Sequence, residues 1–141
     1  MQRTREQQAA HEWLTRCSYA GRHAEAMEDS RRLQVEQYSR WCPGRPWIKP
    51  MQSLIAMYDG EIEQARAEYR AFVEVIEAVE DDMLRELLTL YHIDGLSWEQ
   101  VADRMWYSTK HIFNIYRKAL TEVYKILSDR GSLPVGELDA Q

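Results

Sequence analysis

Apolar and small side chains recur at alternating steps of three and four residues along the middle of this chain. The members of this stripe are Ile55, Tyr58, Ile62, Ala65, Tyr69, Phe72, Ile76 and Val79. Such a period keeps the stripe on one side of a helix and is typical of a coiled-coil seam. One helix alone cannot hide the stripe from water, so a second helix must pack against it.

A weaker stripe runs through the preceding segment, which has no proline and a single glycine from about Arg5 to Arg40. Its apolar or small members also fall on one side of a helix: Trp13, Cys17, Ala20, Ala24 and Met27. A break that contains proline and glycine at residues 42–46 separates the two helices. The simplest fold is therefore an antiparallel hairpin, in which Trp41 and Trp47 pack the closed end.

Pairing between chains is the alternative way to cover the second stripe, and both arrangements can hold together. Further apolar side chains make that stripe wider than one partner helix would cover: Leu54, Met57, Val73 and Val75. We therefore expect a dimer or a higher oligomer.

The composition favours a globular all-α protein. The chain has 141 residues, of which 45% are apolar and 29% charged, and only four prolines and six glycines interrupt it. Two cysteines and a polar N-terminus indicate a reducing cytoplasm rather than a disulfide-bonded secreted fold. No apolar run reaches the roughly 20 residues that a membrane span requires, so a soluble protein without a membrane partner is expected.

The net charge of −5 conceals a segregation of charge along the chain. Residues 59–86 carry three basic and ten acidic side chains, whereas residues 97–128 carry five basic and three acidic ones. Nucleic-acid binding depends on the local field, so the mildly basic C-terminal segment is a candidate for it. The acids of the middle segment are scattered around a helix, which indicates a solvated face rather than a catalytic or metal site.

Two capped helices are predicted after the helix stop at residues 94–95. Ser97 and Gln100 form a capping-box pattern that opens a short helix at Trp98, which ends at residue 105 or 106. Ser108 is a second N-cap, and it opens a longer helix over residues 109–127. Two such helices with a short turn form a helix-turn-helix, with Ala102 at the crossing. The positions expected to face the core are Val101, Met105, Tyr107, Ile112 and Ile115.

The second helix exposes a set of side chains that we call the predicted DNA-binding face: Thr109, Lys110, His111, Phe113, Asn114, Arg117 and Lys118. In a major groove, Lys110 and Arg117 can donate to guanine or phosphate, and Asn114 can bond adenine. Thr109 or Phe113 can meet a thymine methyl group. Residues further along the helix more often contact the DNA backbone.

The runs YHIDGLSWEQVA at 91–102 and YSTKHIFNIYRKAL at 107–120 resemble region four of bacterial sigma factors and small phage-encoded proteins of Gram-positive hosts. Members of that phage group also carry a helical hairpin before the module. The resemblance implies a phage or prophage regulator of late genes, of the ArpU and RinA types, acting on double-stranded promoter DNA in the bacterial cytoplasm with RNA polymerase as a further partner.

One residue departs from the sigma pattern, which has glycine in the turn where this chain has Trp106. Either Trp106 adopts a left-handed or strained conformation or the turn differs, because only glycine visits the left-handed region without cost. Trp98, at the start of the first helix, is predicted to be a packing residue rather than a DNA contact.

No other chemistry is predicted from the residues present. The four histidines, at positions 11, 23, 92 and 111, lack the spacing of metal ligands, so no metal is expected. The chain has no glycine-rich phosphate loop and no nucleophile beside a base, so neither a cofactor nor enzymatic activity is expected.

The predicted organisation is an oligomerising helical hairpin over residues 1–79, a helix-turn-helix module over residues 80–128 and a flexible tail over residues 129–141. A sequence-specific DNA-binding transcription regulator is the leading hypothesis. The alternative is a non-catalytic interaction factor, whose module docks on RNA polymerase or another phage protein without binding DNA directly.

Overall fold

The computed structural model describes residues 2–131, and over this range the chain is helical and has no strand, as predicted. A short π-helical turn, Thr89–Ile93, interrupts the α-helices. In chain order the α-helices are α1 (Arg5–Trp41), α2 (Lys49–Glu77), α3 (Asp82–Leu88), α4 (Trp98–Met105) and α5 (Thr109–Arg130). None of the described helices is long and apolar enough to cross a membrane.

The chain divides into two compact units, and one of them is built from both ends of the described range. Unit 1 contains the residues up to Ser18 and those from Ala71 onward, and unit 2 contains Tyr19–Arg70. The helices α1 and α2 therefore each contribute to both units. No sequence pattern predicted that the start of α1 belongs with the C-terminal helices.

Within unit 2, the segments of α1 and α2 run in opposite directions. Ala20 and Ala24 of α1 form a small buried cluster with Ala65 of α2. Arg31, further along α1, pairs at 2.7 Å with Asp59, which comes earlier in α2. The exposed ion pair contributes little to stability, so the contact of these helices depends mainly on small side chains that let the backbones approach.

A Cβ atom added at Gly21 would lie 2.8 Å from the nearest ring carbon of Tyr69, which also belongs to unit 2. Among the described residues, and apart from the backbone of its own helix, a Cβ atom added at Gly60 would meet no atom within 4 Å. Inside a helix, Ala is more favourable than Gly by about 1 kcal/mol, so Gly60→Ala is expected to raise the free energy of unfolding by about that amount. Gly21→Ala is expected to bring no such increase, because the new Cβ atom would crowd the Tyr69 ring and cancel the gain in helix propensity.

Urea unfolding of both variants beside the wild type measures this difference. The two substitutions are matched, since each replaces a glycine inside a long helix. Equal stabilisation by both would show that the Tyr69 ring moves aside at no cost.

The closed end of unit 2 differs from the expectation for Trp41. This side chain is 81% exposed, so it does not pack the closed end as expected. Tyr38, one turn earlier, reaches the loop instead, and its hydroxyl donates to the Pro46 carbonyl at 2.8 Å. Trp41 is the last residue of α1, and its ring stays exposed where the chain leaves the helix.

Unit 1 holds the larger core. The Asp81 side chain caps α3 by accepting hydrogen bonds from two backbone N–H groups of its first turn. The core includes large side chains that are almost completely buried, among them Leu14, Phe72, Ile76, Leu87, Leu88, Ile112, Tyr116, Leu120 and Leu127. These residues come from α1, α2, α3 and α5, so all four helices contribute to this core.

The last helix is longer than predicted. α5 continues past Leu127 to Arg130, and Gly131 caps it in the left-handed conformation with φ 64°. Asp129 and Arg130, which were expected in the tail, are therefore helical. Residues 132–141 of that tail lie outside the described residues.

Candidate nucleic-acid interface

Both predicted N-caps of the C-terminal helices are confirmed. The Ser97 hydroxyl accepts a hydrogen bond from the Gln100 backbone N–H at 3.2 Å, and the Gln100 side chain accepts one from the Ser97 N–H at 2.9 Å. This reciprocal pair is a complete capping box. The Ser108 hydroxyl accepts from the His111 N–H at 3.1 Å. As a result, α4 and α5 begin at the residues that the sequence predicts.

The turn between α4 and α5 contains Trp106 in the left-handed conformation, with φ 62° and ψ 38°. The first of the two alternatives that the sequence left open therefore holds: Trp106 adopts the left-handed backbone conformation that glycine normally adopts in this turn. This costs a residue with a side chain roughly 1–2 kcal/mol. A hydrogen bond from the Tyr107 N–H to the Ala102 carbonyl at 3.1 Å closes the turn, and the Trp106 side chain is 91% exposed.

Behind the turn, three of the five positions predicted to face the core are buried: Val101, Ile112 and Ile115. Ala102, predicted at the crossing of the two helices, is buried as well. Met105 is only partly buried. The prediction for Tyr107 is wrong, because its side chain is 41% exposed and its hydroxyl donates to the Met83 sulfur at 3.7 Å. Tyr107 directly follows the left-handed residue, and the change in chain direction turns its ring toward α3.

Trp98 packs against other aromatic rings, as predicted. Its ring stacks on that of Tyr91 at 3.7 Å between centroids and meets Tyr116 at 4.7 Å and Phe113 at 5.4 Å. Phe113 belongs to the predicted DNA-binding face and is 42% exposed. Packing on Trp98 therefore holds the Phe113 ring in place while part of it stays accessible.

A polar cluster joins the start of α1 to α5. The Tyr116 hydroxyl lies 2.8 Å from His11 Nδ1 and 2.9 Å from His92 Nε2, so it can donate to one ring and accept from the other. Burial, and then the positive charge of a protonated His11, lowers the pKa of His92 to about 3. Burial, and then Arg3, lowers the pKa of His11. Both histidines are therefore neutral near neutral pH.

The structure brings four members of the predicted DNA-binding face together around one open cleft: Lys110, Phe113, Asn114 and Arg117. The Arg117 guanidinium donates to the Asn114 side-chain oxygen, so the two groups lie side by side. Three members of the face do not line this cleft: Thr109, His111 and Lys118. The His111 ring instead contacts Tyr107 at 4.6 Å between centroids.

The other wall of the cleft consists of residues that the sequence patterns did not single out: Gln2, Arg3, Thr4, Arg5 and Gln8. The Gln7 side-chain amide holds this wall against α5, donating to the Arg117 carbonyl at 3.2 Å and to the Thr121 hydroxyl at 3.1 Å. The sequence carries one signal for these residues, which is the pair of arginines at positions 3 and 5. No local pattern predicts which helix they meet.

Residues 2–131 contain no group of three or more His, Cys, Asp or Glu side chains placed to hold a metal ion. Comparisons of the chain with family models, with curated proteins and with solved structures found no match.

Proposed function

We propose that this protein is a sequence-specific DNA-binding transcription regulator, in which α4 and α5 form a helix-turn-helix and α5 enters the major groove. The observation that carries the proposal is the convergence of Lys110, Phe113, Asn114 and Arg117 on one open side of α5. Cationic groups suited to guanine or phosphate, an amide suited to adenine and a ring suited to a thymine methyl group meet there.

The packing of α5 suits a recognition helix. Its second half is anchored by side chains that are almost completely buried, including Ala119, Leu120, Val123 and Leu127. Its first half carries the polar and cationic side chains of the cleft. Base contacts from a helix-turn-helix come mainly from the first turns of the second helix, so a rigid second half would hold those turns in place.

The resemblance to sigma factor region four supports the same proposal and extends it to a phage or prophage regulator of the ArpU and RinA types, acting with RNA polymerase in the host cytoplasm. In this proposal α1 and α2 form a helical hairpin that pairs two copies, so that two α5 helices read paired half-sites. Exposed apolar side chains of unit 2 are available for that contact: Leu33, Ile48 and Met57.

A second candidate function is docking on a protein partner without DNA binding. The observation that favours it is a group of exposed apolar side chains at the turn between α4 and α5 and beside it on α3. Met83 is 36% exposed, Tyr107 41% and Trp106 91%. Aromatic residues and methionine are enriched at the centres of protein interfaces.

A salt series of DNA binding discriminates the two functions. The full chain is mixed with a pool of random-sequence duplexes, and bound duplexes are selected and sequenced. A regulator is expected to enrich one sequence, with an affinity that falls steeply between about 50 and 200 mM salt, because phosphate contacts release counterions. Failure to bind any duplex at low salt would rule out the regulator and leave the interaction factor.

A further inference from the structure

The cleft beside α5 has a basic wall that the proposed base reading does not use. The cleft has a volume of about 910 Å3, and Arg3 and Arg5 line it opposite Lys110 and Arg117. None of the described residues that line it is acidic. In a chain with a net charge of −5, four cationic side chains around one cleft reverse the local sign of the charge and attract anions.

The start of α1 is held in position before any ligand arrives. Thr4 and Gln7 form a reciprocal cap, in which each backbone N–H donates to the other's side chain at 3.0 Å. The Arg3 guanidinium lies 5.7 Å from the centre of the Tyr116 ring and donates to the Gln8 side chain at 3.2 Å. The Arg3 side chain therefore needs little further ordering to meet an anion, and Arg5 lies on a capped first turn.

We infer that Arg3 and Arg5 bind DNA backbone phosphates next to the groove that α5 enters. This inference rests on the proposed function. Guanidinium groups match phosphate oxygens in a bidentate way and keep their charge at any working pH. Duplex DNA is the phosphate source that fits, because the cleft is open and shares Lys110 and Arg117 with the predicted DNA-binding face.

The test compares Arg3→Ala/Arg5→Ala with Arg16→Ala/Arg22→Ala, which removes the same charge from exposed positions of α1 that do not line the cleft. Binding to a labelled mixed-sequence duplex of about 30 base pairs is titrated at several salt concentrations. The first variant is expected to bind about tenfold more weakly at low salt, and its salt slope is expected to fall by about two, one for each lost phosphate contact. The control variant is expected to keep the wild-type slope.

A charge-preserving variant separates a phosphate contact from a role of Arg3 in packing on Tyr116. Arg3→Lys/Arg5→Lys is expected to recover most of the salt slope, since Lys also pairs with phosphate. Thermal unfolding of each variant shows whether unit 1 remains folded. A salt slope of Arg3→Ala/Arg5→Ala equal to that of the control variant would overturn the inference.

The outcomes for the inference and for the proposed function are distinguishable. If the wild type binds no duplex, both fall together. If the wild type binds DNA and substitutions on α5 weaken it, but the arginine pair has no effect, only the inference falls. The inference is also contradicted if Arg3→Ala/Arg5→Ala binds DNA as tightly as the wild type and if millimolar inorganic phosphate competes with DNA equally well for both proteins.

Discussion

Replacing both Lys110 and Arg117 with Ala is expected to weaken binding to the selected duplex by roughly two orders of magnitude. Each side chain lines the cleft on α5, and a base contact or a charge-assisted phosphate contact is worth about 1–3 kcal/mol. Fluorescence anisotropy with a labelled duplex measures the loss. Because neither residue belongs to unit 2, the oligomer size is expected to stay that of the wild type in analytical ultracentrifugation.

The matched control is Arg22→Ala/Lys49→Ala, which removes one arginine and one lysine from exposed positions of unit 2. It changes the net charge by the same amount, so it reports how much of the loss comes from long-range attraction alone. Equal affinity of Lys110→Ala/Arg117→Ala and the wild type would show that α5 presents a different face to DNA.

The second large effect is a loss of stability in mild acid. The pKa of His92 is lowered from 6.5 to about 3 in the folded chain, so below pH 6.5 the unfolded chain binds a proton that the folded chain does not. The free energy of unfolding therefore falls as the pH drops through this window, and His92 alone is expected to remove about 2 kcal/mol between pH 7 and pH 5. Urea unfolding at the two pH values measures the loss.

Substitution of His92 assigns this effect to one side chain. His92→Gln cannot take up the proton, so we expect it to be less stable than the wild type at neutral pH but to lose about 2 kcal/mol less on acidification. His111→Gln, at an exposed position of α5, is the matched control and is expected to follow the wild type. If His92→Gln and the wild type lose equal stability in acid, the proton binds elsewhere.

Local signals predicted the C-terminal helices to the residue at their starts. The hydrogen bonds that begin α4 and α5 involve side chains three positions from their partners, as with Ser97 and Gln100, so the sequence pattern contains the whole interaction. The conformation of Trp106 was predicted as one of two alternatives, because the sigma pattern has glycine at this position of the turn. The burial of Ile112 and Ile115 followed from helical spacing alone.

Contacts between segments that are distant in the chain could not be predicted from local sequence patterns. His11, His92 and Tyr116 form one cluster, yet His11 and Tyr116 are separated by 105 positions. Neither histidine lies in a pattern that distinguishes it from a solvated side chain. Arg3 and Arg5 were missed for the same reason. Helical spacing indicates which side of a helix faces inward, but it does not indicate which segment packs against that side.

The division of the chain also determines the order in which its parts can form during synthesis. Unit 2 is one continuous segment, residues 19–70, so all of its residues are made before the part of unit 1 that starts at Ala71. The first residues of unit 1 are made before unit 2, but the Arg117 carbonyl that accepts from Gln7 comes 110 positions later. The cleft is therefore completed last, after a long loop has closed, and a nascent chain that stops before α5 has no complete cleft to present.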